Sequence, residues 1–203
     1  MIRRRTLALA ASLLALAPTA ALADPPPCHH HAPVPAAAPL PGASVYQLDA
    51  AWTTQDGAQF RLASLRGSPV LVLMFFGSCR TACPVLLSDI ARVDAALPPA
   101  ARARTRVVLV TINPEVDTPA QLRALATERR MDTSRWTLLN GRPQDVRALA
   151  TILGVQYTRT GPAMFDHSNV ITLLDRDGVV RTRLEGLAAP NGPLVQATVE
   201  AAR

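Results

Sequence analysis

Residues 69–97 read PVLVLMFFGSCRTACPVLLSDIARVDAAL. The run from Pro69 to Phe76 is apolar without a break, the mark of a strand buried on both faces. Past a turn that holds Cys79 and Cys83, residues Leu86, Leu87, Ile90, Val93 and Leu97 recur at helical spacing. Pro98-Pro99 then stops the helix. The stretch is therefore strand, cysteine turn, helix. In α/β sheets, reactive groups gather at the C-terminal ends of such strands.

The same alternation extends outward on both sides. RVVLVTI (106–112) is a second buried strand, and Asn113-Pro114 turns the chain. Thr118-Pro119 starts a helix with Leu122, Leu125 and Ala126 inward. WTLLN (136–140) reads as a strand, and PQDVRALATILG (143–154) as a helix ended by Gly154. VITLLD (170–175) and VVRTRLEG (179–186) form a hairpin around Arg176-Asp177-Gly178, and 193–202 closes the chain as a helix. Upstream, TTQDGAQF (53–60) is a hairpin turning at Asp-Gly. This order predicts an α/β fold with a central mixed sheet, helices on both faces and an N-terminal hairpin extension, over residues 45–203.

The first 44 residues differ in character. Arg3, Arg4 and Arg5 precede the apolar run LALAASLLALA (7–17), and Ala21-Leu22-Ala23 follows. A basic start, a short apolar stretch and a small-x-small end describe a secretory signal peptide, 1–23. The run is short for an uncleaved anchor, which would leave the domain membrane-attached. A twin-arginine export signal fits loosely; either route sends the domain to the periplasm. Residues 24–44 are rich in Pro and Ala and read as an extended linker. Within it lies Cys28-His29-His30-His31, which could capture a metal transiently, although a tail without fixed geometry makes a poor site. Lipidation of Cys28 is disfavoured by the three prolines before it.

The 21 basic residues are all Arg, against 15 Asp+Glu. Cleavage after Ala23 removes three of them and leaves a mildly basic protein. With eight aromatic residues and no recognition motif, nucleic-acid binding is excluded as a function class.

Cys79 and Cys83 stand four apart, so a helical turn places both sulfurs on one face. Pro84 suits the first helical turn, where the helix dipole favours thiolate. Two such thiols can close a disulfide or clasp a soft ion, Cu(I) or Zn(II). From Val45 onward the chain has one histidine, His167, which follows Asp166 at a loop-to-strand boundary. A nearby acceptor that holds an imidazole is the usual companion of a metal ligand.

CRTACP (79–84), NPEVDTP (113–119) and DHSNVITLLDRDG (166–178), in this order, make the chain resemble the Sco/SenC family. The likeness runs from about Val45 to the end. The resemblance implies a thioredoxin-like fold and copper, Cu(I) and/or Cu(II), bound by Cys79, Cys83 and His167. It implies a role in assembling the binuclear copper centre of cytochrome c oxidase, or a related exported cuproenzyme, by copper delivery or thiol reduction. Partners would be the copper-receiving protein and donors of copper or of thiol–disulfide equivalents. Arg80 stands where the family commonly has Pro, and Asn113 where Asp is common.

A metal-free thiol–disulfide oxidoreductase is the main alternative, since it needs only the redox-active pair Cys79 and Cys83. A peroxidase motif would need Pro at 76 and Thr at 80; the chain has Phe76 and Arg80. A structural zinc site wants four ligands, and three are in view. Met164 is expected to pack rather than ligate. Glu115 and Asp117 could orient the site, but Asp117-Thr118-Pro119 is read first as a helix start. Arg102, Arg104 and Arg106 are expected to form a solvated edge.

Overall fold

The computed structural model describes residues 39–79, 81–162 and 164–203. The expected signal peptide, linker residues 24–38 with the Cys-His-His-His stretch, Arg80 and Ala163 lie outside the described residues. The strands are β1 (Trp52–Thr54), β2 (Gln59–Phe60), β3 (Val70–Phe75), β4 (Arg106–Thr111), β5 (Trp136–Gly141), β6 (Tyr157–Gly161), β7 (Met164–His167), β8 (Val170–Leu174) and β9 (Val180–Glu185). The helices are α1 (Ala82–Ala96), α2 (Pro99–Arg104), α3 (Pro119–Glu128), α4 (Pro143–Leu153) and α5 (Gly192–Ala201).

Seven strands form one mixed sheet in the order β2-β1-β5-β4-β3-β8-β9. β3 runs parallel to β4, and β4 parallel to β5; the remaining pairs are antiparallel. All six residues of β3 are buried, as an unbroken apolar run requires when both faces are covered. β9 lies at an edge and alternates half-buried with exposed residues. Helices α1 and α5 touch each other, α1 also meeting β3 and α5 meeting β8 and β9, while α3 lies against β5. The N-terminal hairpin, β1–β2, joins the sheet through β5.

Each helix boundary has a local cause. Thr118 caps α3 in a reciprocal capping box with Gln121, and Pro119 occupies the first turn. Gly154 ends α4 in the left-handed conformation (φ 73°), and Val155 N–H returns to the Ala150 carbonyl.

Three elements depart from the sequence reading. The residues after Pro98-Pro99 form α2, because Pro99 at the first helical position begins a helix as well as ending one. Its arginines, Arg102 and Arg104, are exposed as a solvated edge would be, and both are also tied to the fold. Arg102 and Arg135 both pair with the buried Asp94 at 2.9 Å, and Arg104 Nη1 donates to the Ala202 carbonyl at 2.9 Å. The second departure is β6–β7, a separate two-stranded sheet in the segment read as a loop. As the third, His167 is the last residue of β7 rather than part of an approach to β8.

Candidate metal centre

The cysteine turn is built by the ends of β3 and α1. Cys79 N–H donates to the Phe76 carbonyl at 3.3 Å, closing a turn directly after the buried strand. The N-cap residue of α1, Thr81, makes no side-chain cap. Instead the Cys79 sulfur accepts the Cys83 backbone N–H at 3.3 Å, taking up one of the free donors at the helix start. The spacing of three residues lets the first sulfur reach back over the turn that carries the second.

His167 arrives from β7. Phe165 is buried and His167 half-buried on one face of this strand, whereas Met164 and Asp166 are exposed on the other. The Phe165 ring lies 5.4 Å from Phe76, and Phe76 meets the imidazole edge-on at 5.7 Å. His167 Nδ1 lies 3.0 Å from the Ser168 carbonyl. A carbonyl only accepts, so Nδ1 carries a proton, and in the neutral ring Nε2 presents its lone pair. Nε2 is 3.5 Å from Cys83 Sγ. The orienting acceptor is therefore the Ser168 carbonyl, not the expected Asp166, which strand alternation turns outward. Met164 does not pack as expected; it is 56% exposed and faces away from the imidazole.

The two thiols differ electrostatically. Burial raises the Cys79 thiol, but hydrogen bonds from the Cys83 and Thr81 backbone and side chains outweigh it, leaving the group below its ordinary value. Burial pushes Cys83 up to about 12, aided by the Cys79 hydrogen bond and charge and by the Asp117 carboxylate, against a hydrogen bond with the Phe76 backbone. Both cysteines are free thiols rather than a disulfide.

The three sequence-predicted residues thus meet in pairs: Cys79 with Cys83, and Cys83 with His167. Among the described residues, no three His, Cys, Asp or Glu side chains form a ready-made ion cage. Cys79 Sγ is engaged with the helix N–H instead. Two thiols and an imidazole are nevertheless a soft-to-borderline donor set, suited to Cu(I) or Zn(II).

Two acids near the turn have structural partners. Asp117 Oδ2 accepts Gly77 N–H at 2.9 Å and the Thr111 hydroxyl at 2.5 Å, so it does more than precede a helix. Glu115 pairs with Arg159 of β6 at 3.1 Å, linking the hairpin to the loop after β4. Arg159 also lies over the Phe165 ring, 4.9 Å from its centroid. Asn113 is fully buried, and its side-chain amide finds no hydrogen-bond partner among the described residues. The aromatic support from Phe76 and Phe165 had no sequence signal beyond their proximity to Cys79 and His167.

The SCO1/SenC family model matches residues 43–202. The chain belongs to the SCO1/SenC family. Among curated relatives, a Stutzerimonas stutzeri protein provisionally named for copper binding is 29% identical over 131 residues, 63% of each chain. The SCO1 protein homolog of Bacillus subtilis (strain 168) is 26% identical over 136 residues, 66% of this SCO1/SenC chain and 70% of the relative. The fold matches a SCO1/SenC family lipoprotein of Bacillus anthracis with a TM-score of 0.67 at 23% identity, covering 75% of this chain and 92% of that one. It also matches Arabidopsis thaliana ScoI with copper bound, TM-score 0.63 at 20% identity, over 74% and 94% of the two chains. BsSco, described with a disulfide switch and as a member of a family of cytochrome c oxidase assembly proteins, matches at 0.64 and 22% identity, over 75% and 90%. These likenesses establish the thioredoxin-like fold of the Sco structures for this chain.

Proposed function

We propose that the protein carries copper as cargo, bound by Cys79, Cys83 and His167, and passes it to a copper-receiving partner. The observation that carries this reading is the Nε2 lone pair of His167, held 3.5 Å from Cys83 Sγ by a carbonyl on Nδ1. A dithiol exchanger has no need of an imidazole tethered in this way. A carbonyl that fixes the tautomer and aim of a histidine is the usual support of a metal ligand. A site of three donors is low-coordinate, so a partner's ligand can attack and the metal can leave by ligand exchange. Copper-bound relatives of the same fold, and the cytochrome c oxidase assembly role described for BsSco, favour the binuclear copper centre of that oxidase as the destination. The protein acts after export, with 1–23 as signal, 24–44 as linker and 45–203 as the copper-binding domain.

A second reading, thiol–disulfide exchange without metal, draws on the asymmetry of the thiols. A half-buried, lowered Cys79 beside a buried, raised Cys83 is the arrangement of an attacking and a resolving thiol. In that reaction the Cys79 thiolate attacks a partner disulfide and releases one partner thiolate. Cys83 then displaces the other, leaving Cys79–Cys83 oxidised and the partner reduced.

Anaerobic Cu(I) titration of the reduced protein against a chelator tests the copper reading. One tightly held copper per chain is expected, with tight binding lost in Cys79→Ala and in Cys83→Ala. A parent protein that holds no copper in this competition, yet reduces a model disulfide, overturns it in favour of exchange.

A further inference from the structure

Three neighbouring strands send hydrogen bonds into the loop that joins β4 to α3. From β5, Asn140 Nδ2 donates to the carbonyls of Pro114 at 2.8 Å and Asp117 at 2.9 Å. From β4, the Thr111 hydroxyl donates to Asp117 Oδ2 at 2.5 Å, while its oxygen accepts Asn113 N–H at 2.9 Å. Just past the end of β3, Gly77 N–H donates to the same Asp117 Oδ2 at 2.9 Å. Gly77 stands two residues before Cys79. A Cβ at position 77 would lie 2.7 Å from Asp117 Oδ1, so the carboxylate fills the space a side chain would need.

Asp117 is only 4% exposed. A carboxylate so deeply buried is costly unless it is hydrogen-bonded. The bonds from Gly77 and Thr111 join two adjacent strand ends at one oxygen, and Gly77 stands two residues before Cys79. We propose that Asp117 is a positioning residue for the metal centre: through Gly77 it fixes the turn that sets Cys79 against Cys83. This rests on the copper reading given above. It goes beyond the three ligands by naming what holds two of them in place.

The test compares Asp117→Ala, Asp117→Asn and Thr111→Val with the parent. An amide oxygen can accept the same two donors, so Asn should preserve the turn, whereas Ala cannot. Cu(I) affinity by chelator competition is expected to fall about 10- to 100-fold in Asp117→Ala, in the range usual for groups that orient ligands. The Cu(II)–thiolate absorption of that variant should also shift. Asp117→Asn should stay within about 3-fold of the parent with an unshifted spectrum, and Thr111→Val should fall between the two. Binding in Asp117→Ala at the parent's level and with the parent's spectrum overturns the proposal. So does an Asn variant as damaged as the Ala variant. If Asp117→Ala does not fold, Thr111→Val decides, and parental affinity and spectrum there overturn the proposal. Alkylation of Cys79 in the metal-free protein separates this inference from the copper reading. If the parent binds no copper, an altered labelling rate in Asp117→Ala, restored in Asp117→Asn, still supports the positioning role. An unaltered rate refutes it.

Discussion

Cys79 and Cys83 follow β3, a strand hydrogen-bonded on both sides and buried along its whole length. His167 ends β7, whose only strand partner among the described residues is β6. The thiols therefore stand on the most constrained part of the fold, and the imidazole on a two-stranded ribbon beside it. The ribbon is held by the Phe165–Phe76 contact and by the Arg159–Glu115 ion pair, and a cleft of about 330 Å³ lies among Ile112, Glu115, Tyr157, Arg159 and Phe165. Two-stranded ribbons have little stability of their own, and elements of this kind open locally before the global fold does. On the copper reading proposed above, the difference would let the thiols keep their place while the imidazole engages and releases.

Substitutions on the two supports should separate them. Leu73→Ala empties a fully buried position in β3 and should cost about 3 kcal/mol of global stability, measured by urea denaturation. Phe165→Ala should cost less, roughly 1–2 kcal/mol, because a peripheral hairpin can relax into the space in a way the central sheet cannot. It should nonetheless lower copper affinity about tenfold by loosening His167. Equal stability losses in the two variants would mean that the hairpin is an integral part of the core. At the small end, Glu115→Gln breaks an exposed ion pair and should cost under about 1 kcal/mol, while speeding amide hydrogen exchange in β6–β7 alone.

The thiol half also makes a pH prediction. The folded protein keeps Cys83 protonated up to about 12, whereas an ordinary thiol, as in the unfolded chain, ionises near 9.0. Between those values the unfolded chain has lost a proton that the folded one retains. The stabilising effect of the neutral Cys83 is thus fully present below about pH 9 and is lost as the pH rises towards 12. Denaturation of the metal-free reduced protein across that range should show falling stability, with a shallower fall in Cys83→Ala. The same asymmetry predicts that iodoacetamide at neutral pH labels Cys79 before Cys83.

Legibility of the sequence followed the strength of the local signals. β3, β4 and α1 were plain, because unbroken apolar runs and a helical stripe have few other readings. β6 was not: its pattern is exposed along most of its length, with no alternation to mark a strand. That omission had a cost at the site, since without β7 as a strand Asp166 looked like the natural partner of His167. α2 was hidden by reading Pro98-Pro99 only as a stop. Cys79, Cys83 and His167 were visible as an ordered set of motifs. The tie from Asp117 to Gly77 was not, because it crosses from one strand end to another and depends on the parallel register of β3 and β4.

Copper affinity of His167→Ala, measured by anaerobic chelator competition beside the parent, tests the central claim most directly. If the imidazole is the third ligand, the variant should bind copper at least about tenfold more weakly while its urea midpoint without metal stays close to that of the parent. An affinity equal to the parent's would contradict the account and leave a site made by the cysteines without the hairpin.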